Sequence, residues 1–141
     1  MKNLAEIMYE VRDASSPEEQ VKILKKYNSV PLFFLLKLAF SINYAKLEKE
    51  PDYVIDDSPV GMSYTTLTKS FRSIPSLITK AATPELQKKQ ENKLIILLES
   101  LHWTESAFLV NVLMKRVTEV YKLSFETLKA NFPGEFENVR H

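Results

Sequence analysis

The sequence predicts an all-α protein, an irregular bundle of about seven short helices forming a single helical domain over residues 1–141. Three observations carry that expectation. Apolar residues recur at spacings of three and four, helix-start residues precede those runs, and only two glycines interrupt the chain. No repeat period, heptad run or low-complexity tract is present.

The first helix is written in Leu4, Ile7, Met8 and Val11, which fall on one face at i, i+3, i+4 and i+7. "SPEE" then restarts the chain: Ser16 caps, Pro17 suits the first helical position and Glu19 stands where a capping box needs it. The second helix runs to about Tyr27, with Val21 and Leu24 inward. Pro31 opens a third, whose "LFFLLKLAF" is apolar nearly all round and is expected at the centre of the domain. Its Phe33, Phe34 and Phe40 have core spacing.

Ile42 to Gly61 contains Pro51, Pro59 and the turn-forming "DDSPVG", and predicts a long, partly extended loop. Ser63 to Ile74 reads as a fourth helix using Tyr64, Leu67 and Phe71, ended by Pro75. Thr83 and Pro84 start a long fifth helix with the stripe Leu94, Leu97, Leu98 and Leu101, widened by Ile95 and Ile96. Thr104 reads as the next cap, with Trp103 and Phe108 as a hydrophobic staple. Ser124, with Leu123 and Leu128, repeats that grammar for a last helix over Phe125–Phe132, closed by Pro133 and Gly134.

Composition narrows the function classes. The 45% hydrophobic and 26% charged content is that of a folded globular chain. Nineteen basic against eighteen acidic residues leave a net charge of +1, so any basic surface must be a local patch made by folding. The absence of cysteine excludes disulfides and thiolate metal sites. The most apolar run, Val30 to Ile42, falls short of the roughly 20 residues that span a bilayer. "MKNLAEIMYEV" has no apolar signal region, so a cytoplasmic protein without membrane contact is expected.

Catalytic patterns are sparse. His102 and His141 are the two histidines; no serine near His102 has a third group to orient a triad, so His102 reads as a helix-end polar residue. Asp52, Asp56 and Asp57 lack the ligand order of a calcium loop, and Gly61 and Gly134 stand apart rather than forming a phosphate cradle. No metal, cofactor, small-molecule substrate or enzymatic activity is expected. Base reading is poorly supplied by Arg12, Arg72, Arg116 and Arg140, and the short last helix is a poor recognition helix. Backbone contact is the DNA chemistry that remains. Lys115, Arg116, Lys122 and Lys129 surround the corner "LMKRVTEVYKLSFETLKANFPGEF", where Lys122 adjoins the Ser124-capped helix start. Lys115 and Arg116 are expected there as exposed side chains.

"VKILKKYN", "PVGMSYTTLTKSF" and "LESLHWTESAFLVNVLMKRVTEVYKLSFETLKANFPG" together resemble the N-terminal helical domain of the ATP-dependent DNA ligases of T-even-type bacteriophages. The chain is also similar to small uncharacterised tailed-phage proteins with the same ending. The likeness spans nearly the whole chain and is most specific over Leu113–Gly134. It implies a ligase N-terminal-domain-like fold that holds duplex DNA through its backbone around a nick, with Lys115, Arg116, Lys122 and Ser124 at the matching positions. The ligase turn carries a glycine before its serine or threonine, where this chain has Tyr121, Lys122 and Leu123. Ligation itself is excluded, because nucleotidyl transfer needs a Lys-x-Asp-Gly lysine and this chain has no Asp-Gly pair. Two readings follow: a stand-alone phage accessory protein on the DNA backbone, or the same fold binding a host or phage replication or transcription factor.

Overall fold

The computed structural model describes residues 2–44, 46–47, 49–59 and 62–140. Gly61 and His141 lie outside the described residues. Every regular element described is helical. In chain order they are α1 (Leu4–Asp13), α2 (Pro17–Lys26), α3 (Val30–Phe40), α4 (Leu67–Ser70), a 3-10 turn (Phe71–Ser73), α5 (Ile74–Ile78), α6 (Pro84–Ser100), α7 (Trp103–Leu113), α8 (Val117–Tyr121), α9 (Phe125–Asn131) and α10 (Pro133–Phe136). None is long and apolar enough to cross a membrane.

The helix starts follow local chemistry. Asn3 accepts from the Glu6 N–H and Glu6 reaches back to the Asn3 N–H, a reciprocal capping box that opens α1. Ser16, Ser29, Thr83 and Ser124 each accept from the backbone N–H three residues on, opening α2, α3, α6 and α9. The long connection from Ser41 to Thr66 contains no helix among its described residues, in keeping with its Pro51, Pro59 and turn-forming residues.

Three local expectations need correction. Pro75 does not end a helix; it sits in the first turn of α5, where its missing N–H costs nothing. Because Pro75 cannot donate to the Phe71 carbonyl, Ile74 donates there instead, which makes the 3-10 turn. Tyr64 lies before that helical run and is 93% exposed, so it is no part of the core stripe. Thr104 is not the cap of α7: the cap is His102, whose Nδ1 accepts from the Thr104 N–H and bonds the Thr104 hydroxyl at 2.7 Å.

The core is a single cluster fed by every long helix except that α6 contributes only its second half, through Leu94 and Leu98. Helix α3 lies within it as expected, its Phe33 against Phe132 and Phe136, Phe34 against Phe71, and Phe40 against Phe125. Helix α7 shares the centre, packed by α1, α3, α6 and α8. Leu97 and Ile95 are only half-buried and Ile96 is exposed, so the α6 stripe is narrower than its sequence suggests.

Polar side chains tie this core together. The Ser106 hydroxyl, fully buried, donates to the Leu98 carbonyl at 2.6 Å and so satisfies the end of α6. Glu105, 1% exposed on α7, accepts from the Leu67 N–H at the start of α4. Burial pushes its carboxyl up to about 7, opposed by the Leu67 and Leu4 N–H groups and assisted slightly by Glu6.

Candidate nucleic-acid interface

The corner after α7 contains two turns. Helix α7 ends at Leu113, and Lys115 at φ 57° redirects the chain into α8. Helix α8 is five residues long and ends at Lys122, which at φ 59° closes it in the left-handed conformation. Left-handed backbone is strained for residues with a Cβ, so both lysines are held by their surroundings.

Lys115 is held from its side chain. Its Nζ donates to the Leu38 carbonyl at 2.7 Å and the Ser41 carbonyl at 2.9 Å, both at the C-terminal end of α3. A cation there meets the negative end of the helix and its unsatisfied carbonyls. Burial pushes the Lys115 ammonium down to about 8. Arg116 reaches across to the long loop, where Nη2 meets the Glu50 Oε1 at 2.8 Å. Both residues were expected to be exposed; both are half-buried and already engaged. Open ground beside Lys115 is a cleft of about 530 Å³, lined by Phe40, Ile42, Tyr44, Lys46 and Glu119.

Lys122 is held from its backbone. The Lys122 N–H donates to the Thr118 carbonyl, its carbonyl accepts from the Gln20 Nε2 at 2.9 Å, and the Thr118 hydroxyl donates to the Leu123 carbonyl. Gln20, 5% exposed, also donates to the Val11 carbonyl at the end of α1. One buried amide thus joins α1, α2 and the turn before α9. The Lys122 side chain is left exposed, near Asp13, whose carboxyl is held below its usual range chiefly by Arg12 and in smaller part by Lys122.

Ser124 caps α9: its hydroxyl accepts from the Thr127 N–H at 3.1 Å and lies 2.8 Å from the Thr127 hydroxyl. That hydroxyl is therefore occupied, and α9 is too short to provide a strong helix-terminal field. Lys129 is exposed in its last turn.

The five site residues therefore divide. Lys115 and Arg116 face the protein, Ser124 serves its own helix, and Lys122 and Lys129 face solvent. Helix α2 packs beside α9 and adds Lys22, Lys25 and Lys26, all exposed and without an ion-pair partner among the described residues. Glu18 and Glu19 on α2 and Glu126 on α9 are exposed acids of the same two helices. Sequence reading passed over these three lysines and Gln20; the signal was "VKILKKYN", three lysines in eight residues without an acid.

His102 is occupied as a helix cap, and among the described residues no group of three or more His, Cys, Asp or Glu is placed to hold a metal ion. Asp56 instead folds its own turn, accepting from the Ser58 N–H and hydroxyl. No family model matches the chain, and no curated protein or solved structure shows significant similarity to it.

Proposed function

We propose that the protein is a non-enzymatic phage accessory module that holds duplex or nicked DNA by its phosphate backbone, like a ligase N-terminal domain without its catalytic core, in the cytoplasm of the host cell. The observation that carries this reading is the left-handed backbone of Lys122. That conformation is the one glycine adopts most readily, and the ligase pattern has a glycine in this turn. The lysine keeps the turn and adds an exposed charge to those of Lys129 on α9 and of the lysines on the adjoining α2. The contact surface is thus shifted from Lys115 and Arg116 to Lys22, Lys25, Lys26, Lys122 and Lys129. Such a face reads charge and not sequence.

Fluorescence anisotropy on intact and nicked duplex across a salt series tests it. Three or four phosphate contacts lower affinity by about 40- to 150-fold between roughly 50 and 200 mM salt. A Lys122→Glu, Lys129→Glu double variant should lose most of the affinity with its melting temperature unchanged. Absence of wild-type binding at about 50 mM salt, or equal binding by the variant, refutes the proposal. A protein partner is the second reading, favoured by the near-zero net charge and by exposed apolar side chains at the α6–α7 corner.

A further inference from the structure

The long loop does not hang free. The Val54 N–H donates to the Glu99 Oε2 at 2.7 Å, the Trp103 N–H to the Asp56 carbonyl at 3.0 Å, and the Thr65 N–H to the Ser100 carbonyl at 3.0 Å. These three bonds pin the middle of the loop, at Val54 and Asp56, and its C-terminal end, at Thr65, to the junction of α6 and α7. Val54 and Trp103 are themselves bonded there, Ile55 and Tyr64 adjoin bonded residues, and Ile96 lies one turn before Glu99; all five are exposed, as is Met62 shortly before Tyr64. Exposed large apolar side chains grouped in this way mark an interaction surface, whereas scattered ones do not.

The charge carried by the loop beside that corner is acidic. From Glu50 to Thr68 the chain carries Glu50, Asp52, Asp56 and Asp57 and no lysine or arginine, and Glu99 adds a carboxylate from α6. Glu50 is neutralised by Arg116; the others have no ion-pair partner among the described residues. Lys93, one turn before Ile96, is the basic residue nearest on α6. This acidic loop favours a basic partner over nucleic acid or acidic lipid.

We propose that this corner docks a basic amphipathic helix of another protein, with apolar anchors seated on Trp103, Tyr64 and Val54 and basic side chains against Asp52, Asp56, Asp57 and Glu99. The proposal deepens the protein-partner reading and stands independently of the lysine face, with which it shares no residue. Helix-on-apolar-surface recognition needs anchors at i, i+3 or i+4 and i+7, with flanking charge of opposite sign to the rim. A second copy does not meet that need. The lysine-bearing helix α2 complements the charge, but its apolar face is buried in its own core.

Trp103 is the single tryptophan of the chain and lies on the surface itself, 43% exposed, so its fluorescence reports docking directly. The full chain is titrated with an amphipathic helical peptide of leucine and lysine, with its scrambled version, and with the leucine–glutamate analogue. The first should give a saturable blue shift of Trp103 and the other two none. Val54→Ser with Tyr64→Ser should weaken binding roughly tenfold, as loss of central anchors does. Asp52→Lys with Asp57→Lys should weaken it severalfold and flatten its salt dependence. All four positions are solvent-exposed or half-exposed, and circular dichroism of each variant verifies folding. Equal response to all three peptides, no response to any, or binding unchanged in both double variants overturns the proposal. A concentration-dependent blue shift without peptide, accompanied by dimerisation in light scattering, also overturns it and assigns the corner to a second copy. Duplex DNA in the same assay should leave Trp103 unmoved, which separates this outcome from that of the DNA-binding test.

Discussion

Glu105→Gln is the most discriminating perturbation of the fold, because it removes a charge and almost no volume. The Glu105 carboxyl is 1% exposed, and its acceptor contacts with the Leu67 N–H are long, at 3.4 Å to either oxygen. Desolvation therefore outweighs hydrogen bonding, and the carboxyl is carried from 4.5 to about 7. A carboxyl whose folded pKa exceeds its unfolded one binds more protons in the folded state. Its stabilising contribution is complete below 4.5, declines as pH rises and is gone above about 7. At about 1.36 kcal/mol per pH unit the loss reaches roughly 3 kcal/mol. Glutamine is neutral throughout and keeps one acceptor oxygen; presenting an amide N–H toward the remaining donors costs about 1 kcal/mol. The variant should thus be more stable than wild type by roughly 2 kcal/mol at about pH 8 and less stable by about 1 kcal/mol at about pH 4, with the curves crossing near pH 5. For a chain of this length the gain at high pH is a rise in melting temperature of about 4 to 8 °C. Thermal melts followed by far-ultraviolet circular dichroism across that range measure it, and all other titrations cancel in the difference. A wild-type-minus-variant difference that does not change with pH, or a variant less stable at about pH 8, would refute the reasoning.

Lys115→Met should cost about 1 to 3 kcal/mol by stripping the Leu38 and Ser41 carbonyls of their donor, while DNA affinity measured by anisotropy stays within about twofold. A drop in affinity at unchanged stability would return Lys115 to the interface. Lys122→Gly should leave stability equal or raise it by up to about 1 kcal/mol, since glycine suits the left-handed turn, yet reduce the salt slope by about one phosphate contact. Gln20→Leu should destabilise by roughly 1 to 3 kcal/mol in denaturant melts, because the Val11 and Lys122 carbonyls both lose their donor. Leu98→Ala should cost about 2 to 5 kcal/mol and Leu97→Ala distinctly less, as Leu98 is fully buried and Leu97 is not.

Much that is governed by neighbours within one or two turns was legible in the chain itself, although the cap at His102 and the place of Pro75 were not. Ser16, Ser124 and Thr83 cap helices because a side-chain oxygen three residues from an N–H needs no distant partner. The near-uniform apolarity of Val30–Phe40 placed α3 in the core, since such a helix has no face to offer water. The lysines of the corner were equally visible, but their directions were not. Whether Lys115 meets solvent depends on the carbonyls of Leu38 and Ser41, more than seventy residues earlier in the chain. The left-handed turn at Lys122 depends on Gln20, 102 residues away. Nor does periodicity reveal that Tyr64 and Ile96 stay outside while Glu105 and Ser106 go in. A polar side chain enters the core only where packing brings it a partner, and that partner is supplied by the tertiary fold.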